Sequence, residues 1–146
     1  MKPESVKIIQ KNKKAYFDYE ILDKIEAGLV LKGTEVKSIR DGNVSISEGY
    51  GRIDKGEAFI YNMEISPYRA GNIYNHEPKR PRKLLMKKTE IKRLFGNTTQ
   101  KGLTLIPLAL YFRNGFAKIE MGLARGKKLY DKRESIKNKM AQREIN

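Results

Sequence analysis

The pair Asn114-Gly115 constrains this chain more than any other two residues. Both tolerate the left-handed backbone of a two-residue hairpin turn, and Asn-Gly is the strongest short signal for one. The flanks agree. Leu103 to Phe112 is strand-like, and beyond the turn Ala117, Ile119, Met121 and Leu123 alternate with Phe116, Lys118 and Glu120. A period of two marks a half-buried antiparallel strand. Pro107 interrupts the first arm; it cannot donate to a ladder, so an edge or a bulge is expected there.

The same pattern recurs upstream. Phe17, Tyr19 and Ile21 alternate with Tyr16, Asp18 and Glu20, predicting a strand over Ala15–Ile25 that Glu26-Ala27-Gly28 interrupts and Leu29–Leu31 resumes. Gly28 marks a bulge or a close backbone approach. Val44–Ile53 and Glu57–Met63 read as strands joined by the turn Asp54-Lys55-Gly56. Two helices are expected between the strands. One begins at Gly33-Thr34, with Thr34 as N-cap, Val36 and Ile39 facing the core and Gly42 as its stop. The other is capped by Thr89, turns Ile91, Leu94 and Phe95 inward and stops at Gly96. Leu84, Leu85 and Met86 form an anchor into the core, while Lys2–Lys14 reads as a basic arm tacked down by Val6, Ile8 and Ile9. Many short antiparallel strands with two or three short helices make this a mainly β chain. A small OB-like β-barrel is the expected architecture, with a split β-sandwich as the alternative.

At 146 residues one domain is expected. Beyond Arg125-Gly126-Lys127-Lys128-Leu129-Tyr130-Asp131-Lys132-Arg133 the apolar residues are only Ile136, Met140, Ala141 and Ile145. Such a segment cannot build its own core, so the barrel is expected to span 1–129 and a basic tail, disordered alone, 130–146. The 31 Lys and Arg against 17 Asp and Glu give a net charge of +14. The excess is concentrated: residues 79–93 hold eight cations and one carboxylate, and residues 125–146 eight cations and three carboxylates. Charge in blocks points to a phosphate-rich partner. Lys79, Arg80, Arg82, Lys83, Lys87 and Lys88 can follow a phosphate backbone, and Tyr130 among Lys127, Lys128, Lys132 and Arg133 suits either stacking with phosphate neutralisation or a cap on the barrel.

Catalytic options are few. His76 is the single histidine, and its neighbour Glu77 points away from it in an extended chain. With no cysteine there is no thiol chemistry, disulfide or Cys-based zinc site. Gly122–Lys128 fails as a phosphate-binding loop, having three residues between its glycines and Lys128 where Ser or Thr should stand. No enzyme activity, metal or cofactor is expected. No signal peptide or membrane-spanning run is present, so a cytoplasmic protein without a membrane partner is expected. Glu26 and Glu35 can accept from base amino groups, orient an arginine or serve the framework, and the sequence leaves these open.

Four segments carry a family resemblance: Asn12-Lys13-Lys14; Glu26 to Arg40; His76-Glu77-Pro78 with Arg80, Arg82 and Lys83-Leu84-Leu85; and Arg125 to Arg133. Together they resemble the tmRNA-binding small protein B family, also called SsrA-binding proteins. The resemblance implies a monomeric, non-enzymatic bacterial adaptor of trans-translation whose OB-like barrel holds the tRNA-like domain of tmRNA. It implies RNA contacts at Asn12, Lys13, Lys14, Glu26, Lys37, His76, Arg80, Arg82, Lys83, Leu85 and Lys118. It further implies a tail that becomes helical in the vacant mRNA channel beside the decoding centre of the small ribosomal subunit. The tail signature falls on Gly126, Lys127, Lys128, Tyr130, Asp131, Lys132, Arg133 and Ile136. A general OB-type RNA-binding or ribosome-associated protein without a rescue role is the alternative.

Overall fold

The structure of the chain, a computed structural model, describes residues 5–69 and 75–127. Among the described residues nine strands and three helices follow one another as β1 (Val6–Lys11), α1 (Lys13–Asp18), β2 (Tyr19–Leu29), α2 (Gly33–Arg40), β3 (Val44–Ser45), β4 (Tyr50–Asp54), β5 (Glu57–Tyr61), β6 (Glu64–Ile65), β7 (Arg82–Leu85), α3 (Lys88–Gln100), β8 (Thr104–Arg113) and β9 (Phe116–Gly126). The main sheet runs β1-β8-β4-β5-β7-β2-β9, and β9 also pairs with β8. That last pairing closes β8, β4, β5, β7, β2 and β9 into an antiparallel barrel, as the alternating pattern predicts, and leaves β1 as a flap on β8. A short β3–β6 pair lies apart from the barrel sheet.

Two turns set the registers. Lys55 and Gly56 take φ of 50° and 78° between β4 and β5, and Asn114 and Gly115 take 50° and 83° between β8 and β9. Both pairs are left-handed, the geometry that matches the twist of a two-residue hairpin. The β8–β9 register slips between Pro107 and Ala109, the bulge that Pro107 predicts. Inside, Ala27, Ile60, Leu84, Leu105, Leu110, Ile119 and Met121 form a continuous core, into which α2 sends Ile39 and α3 sends Leu94.

Several expectations change. Lys13–Asp18 is a helix, not the start of a strand, because Asn12 caps it: its Oδ1 accepts the Ala15 N–H at 3.3 Å while its Nδ2 donates to the Pro107 carbonyl at 2.8 Å. Ala15 is thereby drawn against Ile106, Leu108 and Ala124, and packing overrides the local alternation. The basic arm is a strand, with the β1 backbone laddered to β8. β2 runs unbroken through Gly28, and its irregularity lies between Ile21 and Asp23. Thr34 does not cap α2; the Glu35 carboxylate accepts the Lys32 N–H at 2.7 Å instead. α3 passes through Gly96 to Gln100, and Gly102, at φ +65°, ends it. Phe95 is half exposed on its outer side rather than in the core.

Candidate nucleic-acid interface

The outward residues of a barrel strand alternate with its core residues, so register determines which of them meet. Gly28 on β2 faces Leu85 on β7 and Lys118 on β9; Lys118 in turn faces Tyr111 on β8, and Tyr111 faces Ile8 on β1. One row across five strands thus reads Leu85, Gly28, Lys118, Tyr111, Ile8. A Cβ on Gly28 would meet the Leu85 Cβ at 3.3 Å and the Lys118 Nζ at 3.6 Å, so its bare backbone keeps a shallow cradle between them. One step along the strands, Glu26 lies opposite Glu120.

Glu26 is held from one side. Its Oε2 accepts the Tyr111 hydroxyl at 2.7 Å and Nη2 of Arg113 at 2.9 Å, and its Oε1 accepts Nε of Arg113 at 3.2 Å. The Arg113 guanidinium also lies 5.6 Å from the centre of the Tyr111 ring. Partial burial pushes the Glu26 carboxyl up, but the hydrogen bonds from Tyr111 and Arg113, with the charges of Arg113 and Lys118, outweigh it and hold the carboxyl below its ordinary value. Burial, followed by the bond to Glu26, pushes the Tyr111 phenol up to about 12. Glu26 is therefore a fixed anion whose side chain stays 37% exposed, able to accept from a base amino group. Lys118 beside it can meet phosphate, and Leu85, also half exposed, offers an apolar contact.

A second set of sequence-flagged residues gathers elsewhere. Glu35 is fully buried and accepts from Nε of Arg80 at 3.1 Å, from Nε of Arg82 at 2.5 Å and from the Lys32 N–H. Arg82 is buried as well, with its remaining donors on the carbonyls of Met63 and Pro78. Burial lowers the Arg82 guanidinium from its ordinary value, while Glu35 opposes this. His76 is also enclosed. Its Nε2 lies 2.8 Å from the Ile65 carbonyl, which can only accept, so Nε2 carries a proton. In the neutral ring Nδ1 then accepts from the Thr34 hydroxyl at 2.9 Å. Arg82 and His76 therefore fasten the 75–83 segment to α2 and present no free donor to a ligand. In the structure these two side chains are spent on internal hydrogen bonds, a loop-bonding role in the case of His76.

The structure thus brings Glu26, Leu85 and Lys118 onto one wall and leaves the other flagged residues around it. Asn12 is 5% exposed, its side chain bonded to the α1 backbone and to the Pro107 carbonyl. Lys13 is exposed at the start of α1, and Lys14 pairs with Glu48 at 3.1 Å. Lys83 pairs with Glu57 at 3.2 Å, and Lys37 lies 5.4 Å from the centre of the Tyr68 ring. Gly126 ends β9 opposite Tyr19, and the Lys127 N–H donates to the Asp18 carbonyl at 2.9 Å. Lys128, Tyr130, Asp131, Lys132, Arg133 and Ile136 lie outside the described residues, as does the expected tail. Tyr111 and Arg113 escape the sequence reading, although sharing one parity of β8 while Leu110 and Phe112 take the other would have placed them outside. Among the described residues no group of three or more His, Asp or Glu side chains could hold a metal ion, and no helix is long and apolar enough to cross a membrane.

Comparison with known proteins adds an independent line. The model of the SmpB protein family matches residues 9–146. The SsrA-binding protein of Carboxydothermus hydrogenoformans is 64% identical over 139 residues, covering 95% of this chain and 93% of the relative. That of Geobacillus kaustophilus is 57% identical over 139 residues, covering 95% and 90%. A chain solved under the heading "tmRNA-SmpB: a journey to the center of the bacterial ribosome" superposes with a TM-score of 0.70 at 48% identity, covering 87% of this chain and 93% of that one.

Proposed function

This chain belongs to the SmpB protein family, and from that membership and the wall just described we propose that it is an RNA-binding adaptor of trans-translation, with tmRNA and the ribosome as its partners. The observation that carries the reading is the convergence of Glu26, Lys118 and Leu85, far apart in sequence but on the adjacent strands β2, β9 and β7, around the bare backbone of Gly28. A fixed carboxylate, a cation and an apolar side chain on one rigid wall suit a folded RNA whose loop bases are open to side chains. We take the ligand of this wall to be the tRNA-like domain of tmRNA. Lys13, Lys14, Lys37, Arg80 and Lys83 supply the surrounding field. Arg82, His76 and Asn12 act by positioning the elements that carry the others. In this reading the protein is a non-enzymatic, cytoplasmic monomer without a cofactor. Residues 130–146 are the part that enters the empty mRNA channel near the decoding centre, through Tyr130, Asp131, Lys132, Arg133 and Ile136, with Gly126, Lys127 and Lys128 at their root.

A competition titration tests this. The protein is bound to labelled tRNA-like domain and challenged with elongator tRNA from low to physiological salt, since non-specific binding falls steeply as salt rises. Selectivity of roughly tenfold or more at physiological salt is expected, equivalent to about 1.4 kcal/mol. Equal competition throughout would make the protein a generic RNA binder. Truncation after Leu129 is expected to keep tmRNA affinity and abolish tagging of stalled chains, and a loss of RNA affinity would overturn the division between barrel and tail.

A further inference from the structure

Exposed large apolar side chains are not scattered evenly over this molecule. Among the described residues nine stand out, and five of them (Val6, Ile8, Val30, Leu85 and Phe116) lie on or beside the wall that carries Glu26 and Lys118. Phe116 is the extreme case at 71% exposed. So much exposure contributes nothing to the core, and clustered exposed apolar groups mark a contact surface. The ring also stands on a rigid support. It follows the left-handed Asn114-Gly115 turn, whose Asn114 N–H donates to the Ser5 carbonyl at 2.8 Å while the Ser5 N–H donates to Asn114 Oδ1 at 3.0 Å. The hairpin tip is thereby pinned to the root of β1. Phe116 and Val6 both lie opposite Arg113, and one step further Ile8 and Lys118 both lie opposite Tyr111.

The charges decide the kind of partner. A protein interface depletes charge from its centre, whereas here Arg113 and Lys118 stand between the apolar side chains. Apolar and aromatic faces interleaved with cations are what a single-stranded base and its phosphate require. Resting on the RNA-binding reading above, we propose that Phe116, with Val6 and Ile8 across Arg113 and Tyr111 from it, is a stacking platform for an unpaired base of the RNA that lies across Glu26, Lys118 and Leu85. The platform extends the contact from the barrel wall to the hairpin tip.

The chain contains no tryptophan, so Phe116→Trp installs a single reporter at the platform. With the full chain at physiological salt, the F116W variant, which keeps an aromatic face on the platform, is titrated with labelled tRNA-like domain. Its fluorescence should be quenched along the same binding curve. Phe116→Leu, which keeps an apolar group and removes the ring, is expected to weaken binding roughly tenfold with an unchanged urea midpoint. Emission that ignores RNA, or F116L binding like wild type, overturns the platform. Wild-type selectivity for the tRNA-like domain with unaltered F116L affinity sinks the platform and keeps the functional reading. An equal tenfold loss for tRNA-like domain and elongator tRNA, with no wild-type selectivity, keeps the platform and sinks that reading. F116L that binds RNA normally but loses association with ribosomes assigns the ring to another partner and also overturns the proposal.

Discussion

Glu35 and Glu26 are both carboxylates bound by arginine, and they do opposite jobs. Glu35 is completely enclosed, with Arg80, Arg82 and the Lys32 N–H using its oxygens. Glu26 is gripped by Tyr111 and Arg113 from one side and open on the other. The difference teaches that ion-pair chemistry alone does not say what a charged residue is for. Burial at the Glu35 cluster converts charge into a fastening between α2 and β7. On the wall the same chemistry yields an oriented anion that still has capacity for a ligand. Desolvation separates the two cases: a buried charge needs every partner it has, and a half-exposed one keeps water or RNA as a partner.

The contrast is broken most forcefully by Glu35→Gln, which leaves the Arg80 and Arg82 guanidiniums without their counter-charge. A loss of about 3–5 kcal/mol in urea unfolding is expected, with RNA affinity of the folded fraction unchanged. A loss below about 1 kcal/mol would show that the cluster is not fastening the fold. The pH dependence sharpens the same point. Both carboxyls sit below their ordinary 4.5 in the fold, so their stabilisation is complete above that pH and drains away as pH falls through the lower folded values. E35Q is therefore expected to show a shallower acid limb in stability than wild type, read from urea midpoints across the acid range.

Effects at Glu26 should be smaller. Tyr111→Phe removes one hydrogen bond, so about 1 kcal/mol is expected from denaturation. The phenol rises from 10.0 to about 12 on folding. The stability this gives is whole below pH 10 and is lost as pH climbs toward 12, a limb the Y111F variant should lack. Lys118→Ala is expected to leave the urea midpoint in place, weaken tRNA-like-domain binding several-fold and reduce the salt slope by about one. An unchanged slope would remove Lys118 from the phosphate contacts. Gly28→Ala should cost little stability, within about 0.5 kcal/mol, because its Cβ meets the Leu85 Cβ at 3.3 Å, a tight contact that the half-exposed Leu85 relieves by shifting a few tenths of an ångström. It fills the cradle between Leu85 and Lys118, so RNA affinity is expected to fall while the fold stands.

The hairpins were readable because their information is local. Asn114-Gly115 and Lys55-Gly56 demand left-handed backbone, and the alternation beside them fixes which side chains face inward. Glu26, Leu85 and Lys118 were singled out by family resemblance, and register then showed that they share one wall. The burial of Arg82 was not legible in the sequence, for a physical reason. In sequence it sits in a run of cations, and only Glu35, 47 positions away, reveals that it turns inward. Asn12 and the α1 helix were hidden likewise, since the cap depends on Pro107, 95 positions on. Phe17 continues the alternation of Tyr19 and Ile21, which do belong to β2, and so hides the helix until Ala15 is seen packed against Ile106 and Leu108.

The pairing of β1 with β8 has a consequence for the order in which this molecule is made. Ser5 and Asn114, which tie the ends of that ladder, are 109 positions apart. The first strand to leave the ribosome making this chain has no backbone partner until nearly all the rest has been polymerised, a wait of roughly 5–20 s at ordinary translation speed. Throughout that interval Val6, Ile8 and Ile9 form a naked edge able to pair with any neighbouring nascent chain. Lys7 and Lys11, both exposed, place charge on that edge and keep copies apart. The amino-terminal strand thus carries its own chaperoning charge until β8 arrives.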